Sequence, residues 1–216
     1  VEVCKCNVTS EEDIRNLINY SKKIFGSIDI WINNAGVNQP NRPIWELSEK
    51  EITSILDIDL KGTINASRLV MREMAKVRSG AIYNIEGYGS NDAKMLGLSI
   101  YGTSKRAVTY FTEALAKESQ ELKTGVIVGR LSPGIMITDF LTNAFSCNEK
   151  IELQEKTKKV YNILGDYPHV VAEFLVNRML KNTNNNAKIK WLTNKKATWR
   201  FMTAGFNKRN FCLIVK

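Results

Sequence analysis

Histidine occurs once in this chain of 216 residues, at His169, and cysteine four times, at positions 4, 6, 147 and 212. A lone histidine supports neither a hydrolytic triad nor a histidine-rich metal centre, and the cysteines fall at no metal-ligand spacing. Cys4 and Cys6 would face opposite sides of a strand, and all four thiols read as reduced and structural. No apolar run approaches the ~18 to 20 residues of a membrane-spanning helix, and the chain does not open with a basic, then apolar, signal segment. A cytoplasmic location is therefore expected, or a plastid one if a leader precedes these residues. Acidic residues stop at Glu173: ten Lys or Arg follow it, against a net charge of +9 for the whole chain.

What is present suits one folded domain over residues 1–216. Hydrophobic residues make up 44% and charged ones 25%, which argues against disorder. Val1–Cys6 reads as a short strand ending at Asn7, and Thr9 with Glu12 forms a capping box for a helix carrying Ile14, Leu17, Ile18 and Ile24. The apolar run from Ile28 to Ile32 is a buried strand delivering the turn Asn33-Asn34-Ala35-Gly36. Ser48 and Glu51 make a second capping box, and Asp57–Gly62 leads into a helix ending near Arg78. Gly80 starts a strand ending in Asn84-Ile85-Glu86-Gly87-Tyr88-Gly89-Ser90. Ser99 is expected to cap the next helix, with Ala107, Val108, Phe111, Leu115 and Ala116 on its apolar face. A strand from Gly125 ends in Ser132-Pro133-Gly134. Asp166-Tyr167-Pro168 restarts a helix through Val171, Phe174, Leu175 and Met179, residues 181–186 form a loop, and Ile189–Leu192 is a short strand. Strands alternating with helices predict a parallel sheet, which binds ligands beyond the carboxyl ends of its strands. The ends at 33–36, 84–90 and 132–139 would line one crevice.

Tyr101 and Lys105 stand four apart on a helix and so share a face. A free tyrosine titrates near ~10, and a fixed cation beside it favours phenolate, bringing proton transfer toward neutral pH. Such a pair also arises by chance on solvated helices, so its neighbours matter. With Asn33-Asn34-Ala35-Gly36 before it and Pro133-Gly134 with Thr138 after it, the chain resembles a short-chain dehydrogenase/reductase over almost its whole length. Within that superfamily it looks most like chlorophyll(ide) b reductases, through residues 26–43, 84–90, 101–105 and 132–141.

The resemblance implies a Rossmann-like, doubly wound α/β fold and hydride transfer between NADP or NAD and a carbonyl or alcohol. Tyr101 would be the proton donor, Lys105 would lower its pKa and hold the ribose hydroxyls, and Ser90 would hydrogen-bond the substrate oxygen, with Tyr88 the other candidate by spacing. Asn7, Asn33, Ala35, Gly36, Pro133, Gly134, Ile135 and Thr138 would contact the cofactor, and residues 138–167 would form a substrate lid. Glycines 87 and 89 would let backbone approach a ligand closely. A homodimer or homotetramer is implied, built on the two long helices.

Three features depart from the family pattern. Its Gly-rich phosphate turn, TGxxxGxG, and first two strands do not occur in the 216 residues, so the chain is expected to be the later part of a longer product, with an exposed sheet edge. Asn7 stands where an acidic residue usually contacts adenine. Asp59 stands where an asparagine usually holds a relay water, with the plainer alternative that it simply begins the helix. These departures keep open a second class, a non-catalytic binding or scaffold protein. In the basic segment at about 181–216, Trp191, Trp199, Phe201 and Phe206 suggest weak membrane-surface contact rather than nucleic-acid binding, with a solvated basic face as the plainer alternative.

Overall fold

The computed structural model describes residues 1–138, 155–206 and 209. Four parallel strands lie in the order β1 (Ile30–Asn33), β2 (Ala81–Ile85), β3 (Ile127–Ser132) and β4 (Lys188–Lys190). Ile30 pairs with Ala81, Ala81 with Ile127, and Arg130 with Lys188. Parallel neighbours need crossovers, and helices supply them. α1 (Glu11–Phe25) precedes β1; α2 (Glu49–Ile55) and α3 (Thr63–Val77) lie between β1 and β2; α4 (Ser99–Glu121) links β2 to β3. α5 (Glu155–Leu164) and α6 (Pro168–Leu180) lie between β3 and β4, and α7 (Asn194–Thr203) follows.

Alternation along β2 divides the core. Ile82 joins Ile14, Ile18, Leu69, Val70 and Met74 on the face covered by α1 and α3. Tyr83 joins Leu131, Val171, Leu175 and Met179 on the face covered by α6. Successive strand residues point to opposite faces, so one five-residue strand anchors both layers of the α/β fold. The loop at 182–186 is fastened to this sheet by amides. Asn182 Nδ2 donates to the Tyr83 hydroxyl at 3.0 Å, and Asn185 accepts the Val128 N–H at 2.9 Å while donating to the Ala116 carbonyl at 2.7 Å.

Several boundaries differ from the sequence reading. Val1–Cys6 forms no strand: among the described residues no neighbour offers it a ladder, and Cys6 packs sideways against the first core. Ser10, not Thr9, caps α1, its Oγ accepting the Asp13 N–H at 3.2 Å. Thr9 is already committed to Asn7, whose Oδ1 takes its N–H at 3.1 Å and its hydroxyl at 2.9 Å. The box at Ser48 and Glu51 forms as expected. From Leu56 to Gly62 the chain takes a π-helical turn that joins α2 to α3 without a break. β4 ends at Lys190: the Trp191 N–H still reaches the Ser132 carbonyl at 3.0 Å, its indole turns to Phe174 and Asp166, and Leu192 packs on Gly134.

The basic segment is partly built into the fold. Buried Asp166 accepts from Trp191 Nε1 at 2.6 Å, from Arg200 at 2.7 and 3.1 Å, and from Arg209 at 2.7 Å. Burial alone would raise the Asp166 pKa, and these donors together hold it below the usual carboxylate range. Lys188 reaches buried Glu86 at 2.7 Å. Cys4 and Cys6 are free thiols. Cys147, Cys212 and most of the expected lid lie outside the described residues. His169 sits in the first turn of α6, stacked on Tyr167 at 5.8 Å.

Candidate active site

The carboxyl ends of β1, β2 and β3 lie side by side, so Asn33, Ile85 and Ser132 open onto one edge of the sheet. α4 starts over that edge and carries Tyr101 and Lys105 in its first two turns, both buried at 8% and 6% exposure. Ser99 does not cap this helix. Gln39, fully buried three residues past Gly36, extends Oε1 to the N–H groups of Ile100 at 2.8 Å and Tyr101 at 3.2 Å. A side chain from the loop after β1 thereby satisfies the orphan donors of the helix that carries the tyrosine.

Lys105 Nζ lies 2.9 Å from Asp59 Oδ2 and 5.5 Å from the Tyr101 ring centroid. Asp59 is wholly buried on the π turn, and its Oδ1 accepts the Val37 N–H at 2.7 Å. π turns of this kind cluster at functional sites. The Tyr101 pKa is raised, not lowered as the sequence reading supposed. Burial is the main cause and the Asp59 carboxylate adds to it, so the cation beside the phenol is already balanced. Gly36 lets the loop reach this ion pair: a Cβ there would stand 3.2 Å from Asp59 Oδ2 and 3.5 Å from Lys105 Nζ.

Ser90 is buried, and its Oγ accepts the Gly87 N–H at 3.1 Å and donates to the Lys105 carbonyl at 3.3 Å. Its hydrogen bonds order the turn after β2 against α4. Tyr88, half exposed, donates to the Lys94 carbonyl at 3.1 Å. Glycines 87 and 89 let the turn lie close against α4, because a Cβ on Gly87 would collide with the Tyr101 hydroxyl and one on Gly89 with the Gly102 backbone. The Asn33 side chain is also structural: Nδ2 donates to Ser67 at 2.9 Å and Asn84 at 2.7 Å, leaving its backbone to face the crevice. Ala35 and Gly134 are exposed, Pro133 is buried, and Ile135 and Thr138 are half-buried in the loop after β3. That loop is pinned by paired backbone bonds between Ile135, Ile137 and Asp166. Asn7 is exposed in the turn before α1. Sequence reasoning missed Gln39 as a cap and Asp59 as the partner of Lys105; Asp59 betrays itself only as a lone charge between Ile58 and Leu60.

A parallel α/β sheet with a Tyr-x-x-x-Lys helix over its strand ends defines a nucleotide-linked oxidoreductase class. Residues 1–149 match the short chain dehydrogenase family, and the chain belongs to that family. It is similar to the probable chlorophyll(ide) b reductases NYC1, chloroplastic, of Oryza sativa subsp. japonica and of Arabidopsis thaliana. The first is 33% identical over 200 residues, covering 92% of this chain and 38% of that protein. The second is 36% identical over 189 residues, covering 87% and 36%. The chain thus spans less than half the length of these relatives. Among solved structures, a serine dehydrogenase complexed with NADP+ superposes with a TM-score of 0.73 at 22% identity, covering 89% of this chain and 75% of that one, which supports the Rossmann-like fold. The cytoplasmic expectation is overturned, since these curated relatives are chloroplastic. Family members use NADP or NAD. The crevice suits the ribose and nicotinamide end of such a cofactor, with Gly36 bringing bare backbone against the Lys105 cation and a phenol close behind.

Proposed function

We propose that this chain carries the catalytic part of an NADP- or NAD-dependent reductase acting on a carbonyl group, with a formyl group on a large planar tetrapyrrole as the favoured substrate. The observation that carries the reading is the buried Tyr101 and Lys105 pair at the carboxyl ends of β1, β2 and β3. The tetrapyrrole is favoured by the chlorophyll(ide) b reductases among the relatives. When bound, the nicotinamide supplies the hydride. Tyr101 gives its proton to the carbonyl oxygen as negative charge develops there, and Lys105 holds the ribose hydroxyls. Ser90 would polarise the oxygen by exchanging its bond to the Lys105 carbonyl for one to the substrate. Backbone at Asn33, Ala35 and Gly36 would line the ribose side, while Pro133, Gly134, Ile135 and Thr138 would flank the nicotinamide and Asn7 would lie toward the adenine. α3 and α4 would build a homodimer or homotetramer, and exposed Trp199, Met202 and Phe206 would make any membrane-surface contact. A scaffold would have no use for a phenol and an ammonium held together in a buried crevice.

Tyr101→Phe in the full natural protein tests the reading. Turnover is expected to fall to background while NADPH or NADH fluorescence titration shows binding retained. Turnover like that of the wild type would sink it.

A further inference from the structure

The ion pair beneath Tyr101 joins three elements. Asp59 comes from the π turn, Lys105 from α4, and the Val37 N–H from the loop after β1. Asp59 is 0% exposed and Lys105 6%, so water screens neither charge well. Gly36 presses the loop backbone onto both groups. Other charges packed around the start of α4 are paired elsewhere: Glu86 with Lys188 of β4, and Arg106 with Asp92. Burial and the neighbouring Asp59 and Lys105 charges act together on the phenol.

We propose that Asp59 is a positioning residue that balances the Lys105 cation and keeps Tyr101 in its proton-bearing form, fitting the site to carbonyl reduction well into alkaline solution and holding back alcohol oxidation near neutrality. The inference rests on the reductase reading and deepens it. In reduction the Tyr101 O–H bond breaks as its proton passes to the carbonyl oxygen while the carbonyl carbon accepts the hydride, and solvent returns a proton to the phenolate. In oxidation the phenolate must be present first. A carboxylate beside Lys105 opposes phenolate, in agreement with the raised Tyr101 pKa.

Tyrosine labelled with ¹³C at Cζ allows Tyr101 to be titrated without any turnover, its resonance assigned by its loss in Tyr101→Phe. In the folded wild type Tyr101 is expected to titrate above ~10, the ordinary tyrosine value, and in Asp59→Asn its midpoint is expected to fall by at least one unit, about tenfold in acid constant. The alkaline limb of kcat for reduction should move by the same factor, with oxidation at neutral pH rising correspondingly. A folded Asp59→Asn variant whose Tyr101 midpoint and alkaline limb stay in place overturns the inference alone. If that variant does not fold, the wild type decides, and a Tyr101 midpoint at or below ~10 overturns the inference. A lowered midpoint in the variant, with no turnover of any carbonyl compound by the full natural protein, overturns the reductase reading alone.

Discussion

Gly87 has no room for a side chain: a Cβ there would strike the Tyr101 hydroxyl and crowd Lys105 Cγ at 3.0 Å. Gly87→Ala should therefore displace the phenol while leaving the fold in place. Reductase turnover is expected to fall by about two orders of magnitude, since misplacements near 1 Å cost that much. Steady-state kcat beside a circular dichroism melt checks this, and a lost melt would instead mean that the turn after β2 cannot adjust. At this scale Tyr101 and Lys105 were legible because helical spacing alone puts them together. Asp59 was not legible as their partner, because a contact across more than forty residues leaves no local spacing. Gln39 likewise lay in a loop of polar residues, where nothing marks one amide as the cap of a distant helix.

Between elements, α1 and α3 are stapled at the surface by Glu73, which accepts from Lys22 and Lys76 at 2.5 Å each. Lys22 and Lys76 hold the Glu73 carboxyl down at about 2 against partial burial that pushes it up. The folded pKa lies below the unfolded value of ~4.3, so the contribution is full above that value and is lost as pH falls through about 2. Acid unfolding of Glu73→Gln should show a shallower fall in stability across that window, and the difference should shrink in high salt because the pair is accessible to solvent. Helix and strand order from β1 onward was largely legible from apolar periodicity, but Val1–Cys6 forms no strand, α5 falls within the expected lid, and helix starts moved where side chains competed for caps. Thr9 and Ser10 both fit a cap in sequence, and Asn7 removes Thr9 from the contest. The π turn at Leu56–Gly62 had no signal, since one extra residue in a helix changes no composition.

Across the whole molecule, Asp166 clasps the basic segment to the loop after β3 through Trp191, Arg200 and Arg209. Asp166→Ala would leave two guanidinium groups facing a partly buried void. Breaking such a pair costs about 3–5 kcal/mol, so urea unfolding should register a loss of that size and proteolysis should cut first near α7. The basic character of this segment was plain in the sequence. Its use as a clasp was not, because the contacts of Asp166 with Trp191, Arg200 and Arg209 span 25 to 43 residues and leave no local spacing.

The sheet order also sets a timetable for synthesis. Each strand finds its neighbour about fifty residues along the chain, so no rung of the sheet can form early. A ribosome adding about 5–20 residues per second leaves β1 waiting seconds for β2, and β2 about as long again for β3. During that wait the apolar residues of β1 lack their β2 neighbours, and the nascent chain is a natural client for chaperones.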